Sequence, residues 1–123
     1  MKYFRSISAL TLPLFLLACA APAKYNWGNY EGSLYRYYKD SATASAHMAE
    51  LKRIIEGAEQ TKAVVAPGIH AEYGYFLLQS GKFEEASAQF AKEKAKWPES
   101  GQLMDTMIGV ANARANNALA GTE

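Results

Sequence analysis

Apolar residues recur along this chain at steps of three and four, the period of a helix packed on one side. Met48, Leu51, Ile54, Ile55 and Ala58 form the clearest stripe, with Glu50, Lys52, Arg53, Glu56 and Glu59 on the other side. Asp40 and Ser41 stand before that helix as caps, and it should end near Lys62. An earlier helix is predicted from Tyr30, Leu34, Tyr37 and Tyr38, which fall at i, i+4, i+7 and i+8 on one face. Pro67 is placed to be the first residue of a third helix, where a missing N–H costs nothing, running to about Ser80. A fourth takes Lys82 or Phe83 to Lys96, with Glu84 and Glu85 in its first turn where carboxylates favour the helix dipole, and Pro98 stops it. Ser100 caps a fifth, whose apolar stripe is Leu103, Met107, Ile108, Ala111 and Ala115 and whose wet face is Asn112, Arg114, Asn116 and Asn117. The pattern predicts an all-α domain over residues 27–120, about five antiparallel helices with no sheet.

The third and fourth helices carry a more specific spacing. His70, Tyr73, Gly74, Leu77, Ala86, Phe90 and Pro98 fall at the positions of the tetratricopeptide pattern W-x2-L-G-x2-Y, A-x3-F, P, although the residue types match less closely than the spacing. Gly74 is expected to admit a close approach facing Ala86, and Gly81 to end the first helix in the left-handed conformation. Trp27, Tyr30 and Leu34 repeat the spacing of His70, Tyr73 and Leu77, with Glu31 in the place of Gly74, so the first hairpin reads as at most a degenerate repeat. A polar-faced terminal helix is what a stacked array needs at its end. In hairpins of this kind the first helix lines the concave face, which places Ala71, Tyr75, Leu78 and Gln79 on a partner-binding surface. The competing reading folds the first hairpin over that face and makes Tyr75 core.

Composition changes the picture mainly at the N-terminus. Lys2 and Arg5, an apolar run from Ile7 to Ala18 and a small residue before a lone cysteine make residues 1–18 a secretory signal, too short to span a bilayer. Leu16-Leu17-Ala18-Cys19 resembles a bacterial lipobox, which implies that Cys19 is acylated and becomes the first residue of the mature protein. A single Cys in an exported chain cannot form an internal disulfide, and acylation removes the free thiol. Residues 19–26 are then an acylated tether that keeps the domain close to the membrane. Ala20 rather than Asp after the cysteine favours the outer membrane. Removing Lys2 and Arg5 from the thirteen bases leaves eleven against twelve acids, a net charge of −1, so there is no basic footprint for nucleic acid.

The candidate chemistry is sparse. His47 and His70 lie on different helices without an i, i+4 ligand pair, so no metal or cofactor is expected. No G-x-S-x-G, P-loop or H-E-x-x-H is present, and the chain reads as a binding protein, not an enzyme. Lys92, Lys94 and Lys96 with Glu93 read as a solvated face, and Trp97 as a lid on the end of the fourth helix. The aromatics of Tyr25 to Lys39 are either core or a binding patch.

The lipobox, Tyr25-x-Trp27-Gly28-x-Tyr30, Pro67-Gly68 leading into Ala71-Glu72-x-Gly74-Tyr75, Gly81, and Lys92-Glu93-Lys94 before Pro98-Glu99-Ser100 together resemble the small bacterial lipoproteins of domain-of-unknown-function family 4810. Ala66 stands where that family usually has a first proline. The resemblance implies a lipid-anchored protein on the periplasmic face of the outer membrane, in the company of a lipoprotein resembling the curli secretion channel. It implies no activity. The expected function is therefore a helical-repeat scaffold that holds a protein partner in an envelope assembly. The alternative is a small-molecule or glycan module built on the Tyr25 to Tyr38 aromatics.

Overall fold

A computed structural model describes residues 24–121; the signal segment, Cys19 and the first residues of the tether lie outside them. Among the described residues there are five α-helices and no strand: α1 (Tyr30–Lys39), α2 (Ala44–Thr61), α3 (Ile69–Gln79), α4 (Phe83–Lys96) and α5 (Gly101–Ala120). Short 3-10 turns at Ser41–Thr43 and Pro98–Ser100 lead into α2 and α5. The helix-to-helix packing runs in chain order, α1 on α2, α2 on α3, α3 on α4 and α4 on α5.

Local chemistry explains most of the boundaries. The Asp40 carboxylate accepts from Ala42 N–H at 3.0 Å and starts the turn before α2. Gly81 takes φ 76° and closes α3 with bonds from its own N–H to Leu78 O and from Lys82 N–H to Leu77 O, the left-handed ending expected of it. The α2 ending uses the same device at Lys62 (φ 55°), where a side chain makes the left-handed conformation cost about 1–2 kcal/mol.

Two boundaries and one buried side chain differ from the sequence expectation. Pro67 is not the first helical residue: Pro67 and Gly68 form a turn, Gly68 is the N-cap, and α3 starts at Ile69. The Gly68 N–H is held at 2.7 Å by the carboxylate of Glu93, which fastens the start of α3 to α4. Glu93 accordingly leaves the solvated face assigned to it and is buried beside the positive end of a helix dipole. Ser100 does not cap α5 with its side chain; its hydroxyl donates to Trp97 O instead.

The core is continuous across α2 to α5, with Leu51, Ile69, Leu77, Ala86, Phe90 and Ala111 at most 1 % exposed. On α5 the buried side of the stripe is centred on Met104, while Leu103 is 61 % exposed. Gly74 makes the expected close approach to α4, and its nearest neighbours there are Phe90 and Gln89. A side chain there would begin 2.7 Å from the ring of Phe90 and 3.2 Å from Gln89 Cβ, so Phe90, one turn beyond Ala86 on α4, fills the notch that glycine leaves. No described helix is long and apolar enough to cross a membrane.

Candidate functional site

The α1 helix turns Tyr30, Ser33 and Tyr37 inward at steps of three and four, and Ser33, small and polar, is its one buried residue. Tyr38, placed with them by the sequence pattern, is 85 % exposed. On α2 His47 precedes Leu51 by four residues, on the same buried face, and is wholly buried. Between the two hairpins these residues meet Glu72 of α3. Ser33 Oγ lies 2.7 Å from His47 Nδ1, His47 Nε2 lies 2.8 Å from Glu72 Oε1, and the Tyr30 hydroxyl donates to Glu72 Oε2 at 2.8 Å. The single Ser33 hydroxyl hydrogen is also within reach of Tyr30 O at 2.9 Å, and when it is donated there Ser33 Oγ acts as acceptor towards His47 Nδ1. Burial and the adjacent Glu72 carboxylate push the Tyr30 hydroxyl up to about 12.

The connectivity hydroxyl, imidazole, carboxylate is that of a nucleophilic triad. In this arrangement it ties three helices together. Ser33 is 2 % exposed and His47 wholly buried, so no acyl group reaches the hydroxyl. Both ring nitrogens of His47 have a partner, which is what a polar group in a core requires. A series of rings surrounds the imidazole: Tyr37 stacks on it at 5.8 Å, Phe76 meets it edge-on at 5.7 Å, and Tyr30 and Trp27 continue outward.

Where α1 meets α2, Glu50 turns back towards the protein and accepts Asn29 N–H at 2.6 Å. The bidentate Arg53 guanidinium beside it holds its carboxyl below the ordinary carboxylate range, and the Asn29 N–H adds to the effect.

Of the four residues assigned to a partner surface, the structure keeps three accessible. Tyr75 is 46 % exposed, Gln79 is exposed and donates to the Tyr75 hydroxyl, and Ala71 is half-buried. Leu78 is 4 % exposed and belongs to the core. The α3 helix is covered on two sides by α2 and α4, and buries seven of its eleven residues. Its outward face is therefore narrower than the repeat spacing implied. Tyr75 is neither core nor wholly free: its ring packs against Phe76 at 6.3 Å, and its hydroxyl accepts from Gln79 while nearly half of the residue is exposed.

The remaining aromatics divide. Tyr30 and Tyr37 are packed against the core, whereas Trp27 and Tyr35, 42 % and 61 % exposed, flank a shallow cleft of about 530 Å³. Trp97 is half-buried and its ring meets Tyr25 edge-on at 6.0 Å, so the N-terminal segment folds against the end of α4. No group of three His, Cys, Asp or Glu among the described residues could hold a metal ion.

An all-α domain of two hairpins and a terminal helix, joined through a buried polar cluster, is the class that this fold and site define. The family model described as "Domain of unknown function (DUF4810)" matches residues 24–107, and the chain belongs to that family. No match was found among curated proteins or among solved structures.

Proposed function

We propose that the protein is a lipid-anchored helical scaffold which holds a protein partner in an envelope assembly, at the periplasmic face of a bacterial outer membrane. The observation that carries this reading is Tyr75 with Gln79 on α3. A tyrosine on a helix packed between two others, half exposed and with its hydroxyl already engaged by Gln79, is a preorganised amphipathic contact of the kind enriched in interface hot spots. Packing in chain order, side-chain contacts from α1 to α3 through Tyr30–Glu72 and Tyr37–Phe76, and the Gly74–Phe90 contact support a tetratricopeptide-like arrangement. The lipobox ending at Cys19 supplies the membrane attachment, and another envelope lipoprotein, one resembling the curli secretion channel, is the partner this reading favours. The reading needs no catalysis, because the Ser33–His47–Glu72 series is engaged in joining helices. The test is affinity capture of the tagged, detergent-solubilised protein: a stoichiometric envelope lipoprotein is expected with the wild type, and a wild type recovered alone would contradict the scaffold role.

The cleft beside Trp27 and Tyr35 favours a second reading, a glycan or small-molecule module using the exposed aromatics. Saturable elevation of Tm by glycan fragments, lost in Tyr35→Ser, is its expected signature.

A further inference from the structure

Away from both the Tyr75 face and the aromatic cleft, the end of α2, the connection after it, the start of α3 and the last turns of α4 enclose a pocket of about 360 Å³. Its apolar walls are small, Ala58, Ala63, Val65 and Ala95, and three lysines, Lys62, Lys92 and Lys96, stand around it with one carboxylate, Glu59. His70 also lines it, and three features of that residue point to a ligand. The ring is 4 % exposed. Its Nδ1 lies 2.7 Å from Gln89 Oε1, so Nδ1 carries the hydrogen of that bond and the lone pair of the neutral ring is left on Nε2. Nε2 makes no hydrogen bond within the described protein and is not one of its fully enclosed unpartnered atoms, so it keeps contact with solvent and is free to take a ligand.

Charge is equally uncompensated. Lys92 pairs with Glu59 at 3.0 Å, but Lys62 and Lys96 make no ion pair among the described residues. Lys62 is also the one described non-glycine residue with a positive φ, so the chain accepts backbone strain where it turns past this pocket. The volume lies in the range of small-molecule sites, and a mostly apolar wall with a few converging polar groups is their usual lining.

We propose that this pocket binds a small organic acid with an apolar body and a hydroxyl group. The acid's anion sits between the Lys62 and Lys96 ammonium groups, its apolar body lies against Ala58, Ala63, Val65 and Ala95, and its hydroxyl donates to His70 Nε2. The site goes beyond the scaffold reading and does not depend on it, since no residue is shared with the Tyr75 face.

Titration calorimetry or ligand-observed NMR on the full-length protein tests this with three probes of one shape. They are 4-hydroxyphenylacetate, phenylacetate without the hydroxyl, and tyramine with the opposite charge. Saturable binding is expected for 4-hydroxyphenylacetate, weaker binding for phenylacetate and none for tyramine. The Lys62→Gln/Lys96→Gln variant should bind about tenfold more weakly, and added salt should weaken the wild type in the same direction. Ala95→Leu, at an exposed wall position, should abolish binding while leaving the Tm of the free protein unchanged. No saturable binding of 4-hydroxyphenylacetate, binding that ignores Ala95→Leu, or tyramine binding as well as the acids would each overturn the proposal.

Discussion

His47 sits in line with Leu51, Ile54 and Ala58, at the position where the buried stripe of α2 continues towards its N-terminus. A histidine on that line had to be buried, and a buried imidazole needs partners at both nitrogens. The spacing carries that signal, although the stripe read from the sequence begins at Met48 and leaves His47 off the buried face. The partners were not legible, because Ser33 and Glu72 are 14 and 25 residues away on other helices and only the packing of α1 and α3 brings them together. The signal that could have found Ser33 is its place between Tyr30 and Tyr37 on the inward face of α1. Two predictions belong here. Glu72→Ala removes the acceptor of the buried His47 nitrogen and should destabilise the domain by about 1–3 kcal/mol in urea denaturation, more than Tyr30→Phe, whose partner remains accessible to water. Tyr30 keeps its proton in the folded state up to about 12, whereas the unfolded chain releases it near 10, so its contribution is complete below pH 10 and lost as pH rises towards 12. Tyr30→Phe should show a shallower alkaline fall in denaturation midpoint than the wild type; parallel curves would mean that the hydroxyl does not feel Glu72.

At the scale of elements, the helices and their order followed from periodicity, and the departures have physical causes. Met104 rather than Leu103 faces α4, because a stripe read from composition alone is ambiguous by one residue when Leu-Met stand side by side. Leu78 was assigned outward by repeat spacing, yet neighbours on two sides of α3 leave room for only a narrow exposed strip. Glu93 looked solvated among three lysines, and only the approach of the Pro67-Gly68 turn explains its burial. The α3–α4 contact carries its own prediction. Gly74→Ala puts a carbon 2.7 Å from the buried Phe90 ring, which cannot retreat without disturbing the core, so the variant should lose about 1–3 kcal/mol. Gly57→Ala, in open space on α2, is the control and should be neutral or slightly stabilising. Equal denaturation midpoints for the two variants would show that α3 and α4 do not pack through Gly74.

For the whole molecule, the proposed function requires a membrane attachment at Cys19 and a partner surface on α3. Cys19→Ala should release the protein from the membrane fraction or leave it as a larger, unprocessed form, since no described helix can span a bilayer. Membrane association that survives the substitution in a fully processed chain would assign the anchor elsewhere. The partner surface is the central claim, and site-specific photocrosslinking in intact cells tests it most directly. A benzophenone amino acid replaces Tyr75, Gln79 or, as an exposed residue on the far end helix, Asn112. The account predicts one discrete, light-dependent adduct with the same envelope lipoprotein from positions 75 and 79, and none from 112. Absence of an adduct at 75 and 79, or equal crosslinking from all three positions, would contradict it.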